Sequence, residues 1–443
     1  MVGLLPDFGN FALTVLAFIA ALSVIVAVHE YGHYIVGRWT GIHAEVFSLG
    51  FGPVLASRVD RHGTRWQIAA LPFGGYVKFL GDSNAASGKD GEAISALTPA
   101  ERRHTMHGAP LWARAATVAA GPVFNFAMSI AIFAAFFWVN GIATDLPVVG
   151  KLTAIPGAVQ ELQPGDRITS VDGTATPDLK TFSDVIELLP PAASARYGVE
   201  RMGAQTEVTG PYPFPPLVSQ VQPLSAAAEA GMQDGDYVLA LNGTPVQAFN
   251  QMRDIVGASD GQPVTLSILR AGQPMEVVVM PKRVDLPKPE GGFETRWLLG
   301  LSGRLMFDPE TRVPGPLEGA WLGVKQVGNV ISTSLSGLGH MVAGQISTCN
   351  MQGPIGIAKT SGAAASMGLS SFIWFIALLS TAVGMMNLFP IPVLDGGHLL
   401  FHAYEAVMRR PPSDGAMRVL MATGLALLLS LMLFALRNDI FCP

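Results

Sequence analysis

Apolar residues in this chain gather into four runs separated by more polar stretches, roughly 10–37, 112–139, 368–406 and 417–436. In the first, Phe11 to Val28 carries no charge, and in the second Ala115 to Val139 carries none. The third is interrupted by Pro390 and Pro392, and the fourth centres on Val419 to Leu436. As a helix, each run is long enough to cross a hydrocarbon core of about 30 Å. The pattern therefore predicts four transmembrane helices. Asp7 is the only charge ahead of the first run. A secretory leader carries a basic start, so this run is expected to be a retained helix.

The stretches between the runs have their own periods. Val46 to Leu55 and Trp66 to Leu80 are β-prone and punctuated by Gly50, Gly52, Gly74 and Gly75. They predict a β-hairpin element at 43–80, at the membrane surface or dipping into it, where backbone must be paired or line a wet cavity. Residues 82–108, with Asp82-Ser83-Asn84 and Gly88-Lys89-Asp90-Gly91, read as a polar, mobile loop. Residues 351–368, rich in Gly, Ala and Ser, predict no definite element.

An internal repeat follows the second run. Gln163-Pro164-Gly165-Asp166-Arg167-Ile168 recurs as Gln233-Asp234-Gly235-Asp236-Tyr237-Val238, and Val171-Asp172-Gly173-Thr174 recurs as Leu241-Asn242-Gly243-Thr244. The constant offset is that of one small domain. Each unit predicts a turn, a strand, a glycine turn and a helix (Leu179 to Leu189; Phe249 to Gly257), with later strands at Val264 to Leu269 and Met275 to Met280. The two units resemble tandem PDZ domains. The expected organisation is a membrane part at 1–142, PDZ-like α+β domains at 143–214 and 215–283, a Pro/Gly-rich linker at 284–316, and an amphipathic helix with the last two spans at 317–443.

Composition agrees with a membrane domain joined to a sizeable polar part. Of the residues, 49% are hydrophobic and 14% charged, and mean hydropathy is +0.38. Net charge is −5 and no basic block stands out, which argues against nucleic acid as a partner. Cys349 and Cys442 are the only cysteines, so neither a cysteine zinc cage nor a disulfide framework is available; one disulfide between them stays open. Between Arg38 and Arg114 there are nine Lys/Arg against six Asp/Glu, and Arg409, Arg410 and Arg418 fill the connection before the fourth run. The positive-inside rule then puts both termini and 140–367 outside and the 38–114 loop in the cytoplasm.

The candidate chemistry lies inside the apolar runs. His29-Glu30-Tyr31-Gly32-His33 places two imidazoles one helical turn apart, the H-E-x-x-H arrangement of zinc peptidases. A charge near the centre of a span costs on the order of 2.5–3.5 kcal/mol by insertion scales, and a bound divalent cation would offset that. Far downstream, Asn387-Leu388-Phe389-Pro390-Ile391-Pro392-Val393-Leu394-Asp395-Gly396-Gly397 holds a carboxylate inside the third run. The prolines break the helix, Gly396-Gly397 let the chain turn into a new one, and Asp395 falls near its start. Two histidines and one carboxylate leave one zinc position open, the layout of a catalytic site.

His29-Glu30-Tyr31-Gly32-His33 together with Asn387…Pro390…Pro392…Leu394-Asp395-Gly396 resembles the site-2 protease family of intramembrane zinc metalloproteases, within it the bacterial RseP-type branch. Gly121-Pro122-Val123-Phe124-Asn125 and Leu71-Pro72-Phe73-Gly74-Gly75-Tyr76-Val77 are similar to that branch too. The resemblance implies a multi-pass helical membrane protein of the bacterial inner membrane, with periplasmic PDZ domains and a site toward the cytoplasmic side. It implies zinc held by His29, His33 and Asp395, Glu30 as general base and proton shuttle, and Asn387 holding substrate or helping stabilise the oxyanion. It also implies single-span membrane substrates, such as an anti-sigma factor or a leftover signal peptide, presented along the hairpin edge and filtered by the PDZ pair.

Plainer readings stand beside these. Asn387 could serve ordinary interhelical hydrogen bonding. Asn125 reads as packing or hydrogen-bond glue, and Gly32 as a site of close helix approach. His398 and His402 form a second four-spaced pair outside the family pattern, and His104 and His107 are expected to be solvated. A catalytically idle membrane scaffold or a zinc transporter are the rival functions; the first has no use for Glu30, and the second needs several polar sites along a path.

Overall fold

The computed structural model describes residues 8–82, 95, 97–288 and 292–442, and these form two compact units. One holds residues 8–135, 317–339 and 348–442; the other holds 136–316 and 340–347. The Ser83-Asn84 and Gly88–Gly91 part of the expected polar loop lies outside the described residues.

In the first unit, four helices are long and apolar enough to cross a membrane: Phe8–Trp39, Leu111–Asn140, Leu369–Asn387 and Asp414–Phe441, here the first to fourth spans. The third apolar run is not one helix. It ends at Asn387, passes Pro390 and Pro392 without regular structure, and restarts as Asp395–Met408. A proline supplies no N–H and disfavours helix in the residue before it, so alternating prolines break the run here. Gly396 and Gly397 act by close approach, since neither has a positive φ. A Cβ at Gly396 would collide with the carbonyl oxygens of Leu388 and Phe389, and one at Gly397 with that of Ile391.

Ala21 and Ile25 of the first span meet Ile376 of the third, with Met128 and Ile132 of the second packed around them. Small residues set the helix spacing, as expected where packing rather than water drives association. A Cβ on Gly32 would lie 2.6 Å from the Ala120 oxygen, so Gly32 is indeed a close-approach position. Residues 351–368 contain a helix, Pro354–Ser366, that packs against the first span through Gly362 and Thr14. The expected amphipathic helix is present as Pro316–Val342 and sets Gly323 against Ile130 of the second span.

The hairpin is two long strands, Ala44–Val59 and Arg65–Phe79. Leu49 pairs with Gly75 and Phe47 with Val77 at one end; Ala56 pairs with Ile68 and Val59 with Arg65 at the other. Phe47 also lies opposite Trp66, so the hairpin folds back and places 75–79 and 54–59 at its margins. Phe47, Val77 and Phe79 are buried with Tyr34 of the first span and Ala113 of the second. The segment before the second span is docked, not free. His43 N–H donates to the His104 oxygen, and Met106 N–H to the Leu80 oxygen. His104 is exposed but bonded to the Gly41 carbonyl (2.6 Å), and His107 pairs with buried Asp82 (3.3 Å) rather than being solvated.

The second unit contains the repeat. Thr174–Ala175, Arg167–Val171, Ser194–Arg201 and Ala204–Pro211 line up in that order beside helix Leu179–Leu188. Thr244–Pro245, Tyr237–Leu241, Val264–Arg270 and Gln273–Val279 repeat the order beside Phe249–Gly257. Corresponding buried aspartates pair with corresponding arginines, Asp166 with Arg201 and Asp236 with Arg270. The stretch 284–316 is not a linker. Lys282–Pro287 pairs with Phe293–Leu298, after which Leu301–Gly303 pairs with Val218–Val221 and Phe307–Pro309 with Val149–Leu152. Its prolines and glycines punctuate short strands, while Leu299 enters the core of the second repeat and Met306 and Phe307 that of the first.

Candidate metal centre

The first span carries His29 and His33 on one face, and the helix beginning at Asp395 brings the acid to them. His29 Nε2 lies 3.1 Å from His33 Nε2 and 3.1 Å from Asp395 Oδ2; His33 Nε2 lies 3.6 Å from the same oxygen. These are the expected ligand residues, and no other group of three His, Cys, Asp or Glu among the described residues could share an ion. Ligands about 2.0–2.2 Å from a tetrahedral zinc lie about 3.3–3.6 Å from one another. The observed spacings are close to that figure. Asp395 Oδ2 is buried without a hydrogen-bond partner, so its lone pairs are unspent. Such an atom facing two imidazole nitrogens is costly unless a cation shares them. The donor set fits a metal ion.

The second span forms the back wall. His33 Nδ1 lies 2.8 Å from the Thr117 carbonyl oxygen, which can only accept; Nδ1 therefore carries the proton and Nε2 is left free to ligate. A Cβ on Gly121 would collide with His33 Nε2 and lie 2.7 Å from His29 Cε1. Asn125, fully buried, places its amide 3.2 Å from His29 Nδ1. Thr117, Gly121 and Asn125 follow one another at four-residue spacing, one face of one helix. Sequence reasoning passed over Thr117, met Gly121 only as part of a family-like motif, and read Asn125 as packing or hydrogen-bond glue. The signal was present: a stripe of small and polar residues within an otherwise apolar span.

Glu30 lies beside the triad, within electrostatic reach of His33, His29 and Asp395, and also meets the hairpin. A Cβ on Gly75 would lie 3.3 Å from Glu30 Cγ. Gly75 thus lets the strand margin approach the acid. Asn387 is not brought to the triad by any hydrogen bond: its amide donates to the Val383 oxygen one turn back on its own helix. His398 and His402 do not converge with a third ligand, and His402 Nδ1 is buried without a partner.

Three side chains that could hold one metal ion, set among helices long and apolar enough to cross a membrane, are the layout of a metal-dependent enzyme embedded in a helical bundle. Residues 17–431 match the family described as peptidase family M50. A protein of Agrobacterium fabrum named "Putative zinc metalloprotease" is 36% identical over 96% of this chain and 95% of its own length. One of Rhizobium meliloti with the same description is 36% identical over 97% of both chains. The "Regulator of sigma-E protease RseP" of Salmonella typhimurium is 33% identical over 96% of this chain and 97% of its own. The chain belongs to peptidase family M50, the site-2 protease family, and is a metalloendopeptidase.

Proposed function

We propose that this protein is a zinc-dependent intramembrane endopeptidase that cleaves single-span membrane proteins. The observation that carries the reading is the meeting of His29, His33 and Asp395 between apolar spans, with Glu30 beside them. The metal is zinc. When bound, zinc would supply Lewis acidity to the scissile carbonyl and to water. His29, His33 and Asp395 would hold it, and Glu30 would take a proton from the attacking water and pass it to the leaving amine. Asn387 sits where the third span ends and would hold the substrate backbone once its amide leaves Val383. A transmembrane substrate hides its carbonyls in helical hydrogen bonds and must unwind locally. Pairing with the hairpin margin at 75–79 would offset those lost bonds, and Gly75 leaves that margin next to Glu30.

The two repeat units act as PDZ-like filters for substrates, of which an anti-sigma factor or a remnant signal peptide is the expected type. Both termini face outside, in the periplasm of an inner-membrane protein, with the site toward the cytoplasm. The Cys349–Cys442 disulfide supports that orientation, since such bonds persist on the oxidising side.

The deciding experiment measures zinc per chain and cleavage of a defined single-span substrate in the parent and in Glu30→Gln. Zinc retained with cleavage lost supports both assignments. Undiminished cleavage in Glu30→Gln would remove the general base from the mechanism, and zinc flux in proteoliposomes without cleavage would favour the transporter.

A further inference from the structure

Asn125 is used by none of the steps above, yet it is fully buried, touches a ligand, and carries a side-chain oxygen, Oδ1, with no hydrogen-bond partner. Its placement is rigid. Its backbone oxygen accepts from Ser129 Oγ of its own helix and Ser380 Oγ of the third span, both at 3.0 Å, and Ser129 Oγ reaches the Ala377 oxygen at 2.9 Å. A Cβ on Gly384 would lie 3.3 Å from Asn125 Cβ, so the third span closes over it.

The chemistry of the pair decides what the amide does. With Nδ2 donating to His29 Nδ1, the imidazole proton must sit on Nε2, which faces His33 Nε2 and Asp395 Oδ2. A protonated ring nitrogen cannot ligate a metal. With the amide turned end for end in the same envelope, Oδ1 accepts from Nδ1–H and Nε2 presents its lone pair. His33 already has that arrangement through the Thr117 carbonyl two turns earlier on the same helix. We propose that Asn125 is the positioning residue for His29: its amide oxygen holds Nδ1–H, orients the ring and keeps Nε2 available to the metal. The second span thereby sets both ligands, by a carbonyl for His33 and an amide for His29, with Gly121 leaving room between them. The proposal rests on the metalloprotease reading.

The test uses purified full-length protein and reads zinc directly, by zinc per chain and by loss of zinc to a competing chelator. The variants are Asn125→Leu, similar in size without an acceptor, and Asn125→Asp, an acceptor whichever way it turns. The backbone contacts with Ser129 and Ser380 survive both. Asn125→Leu is expected to weaken zinc binding roughly 10- to 100-fold, the usual effect of removing a partner of a ligand. Asn125→Asp is expected to hold zinc as tightly as the parent or more tightly. Zinc binding within twofold of the parent in a folded Asn125→Leu overturns the proposal. So does an Asn125→Asp variant that loses zinc, even if Asn125→Leu fails to fold. A parent that binds no zinc would overturn the metalloprotease reading itself, and this proposal with it.

Discussion

Arg114 and Glu405 form a two-pronged ion pair, at 2.5 and 3.0 Å, with both side chains largely buried. Arg114 opens the span that backs the two histidines, and Glu405 lies on the helix that starts at Asp395. The pair therefore ties the acid-bearing helix to the histidine wall. Bidentate pairs of this kind hold geometry as well as charge. Glu405→Gln is expected to cost about 1–3 kcal/mol of stability and to reduce zinc retention. The exchange Arg114→Glu with Glu405→Arg should recover part of both, read by thermal midpoint and zinc per chain. Independent, additive losses in the double variant would dissolve the tie.

Gly121 has no room for a methyl group against His33 and His29. Overpacking a filled site costs about 1–3 kcal/mol, but here the atoms that must yield are the ligands. Gly121→Ala is expected to fold with a modestly lower midpoint while losing most of its zinc and activity together. A variant with parental zinc content would show that the imidazoles can move aside freely.

In the first repeat unit, Asp166 is buried and bonded twice to Arg201 at 2.7 Å and once to the Gln163 N–H at 2.8 Å. Burial alone would raise its carboxyl pKa, but Arg201 and the Gln163 N–H together hold it below the usual carboxylate value. A depressed folded pKa means stabilisation that is present above the unfolded value of about 3.9 and lost as pH falls through the lower folded one. The protection of Arg167–Val171 and Ser194–Arg201 against hydrogen exchange, taken relative to the intrinsic rate at each pH, should decrease below about pH 4 in the parent. Asp166→Asn should already be less protected at pH 7, by about 2–3 kcal/mol of opening free energy, and lose that part of the pH dependence.

Asp439, near the end of the fourth span, accepts the backbone N–H groups of Gly353, Ile355 and Gly356 at 2.8–3.0 Å, beside the Cys349–Cys442 disulfide. A carboxylate at a helix N-terminus satisfies donors that have no partner within the helix. Asp439→Asn is expected to cost about 1–2 kcal/mol, read as faster amide exchange at 353–357. Cys349 and Cys442 should react with a maleimide only after reduction; labelling without reductant would contradict the bond.

The spans, the repeat and the candidate histidines were legible in the chain because each rests on a local rule. Uncharged runs of membrane length, an offset pair of glycine turns and two histidines at helical spacing need no partner to be recognised. The strands at 301–309 were not legible, because each pairs with a strand far earlier in the chain and its prolines and glycines mimic a linker. The docking of His107 on Asp82 was hidden for the same reason.

By itself, then, the sequence determined which residues can bind a metal, and that they lie in lipid-length helices, since residue chemistry and period are local properties. Only the tertiary structure decided that Asp395 meets His29 and His33, that Glu30 faces a strand margin, and that Thr117, Gly121 and Asn125 form the wall behind the ligands. Those facts depend on how closely helices far apart in the chain approach. That distance is set by small residues whose significance shows only when the opposing surface is in place.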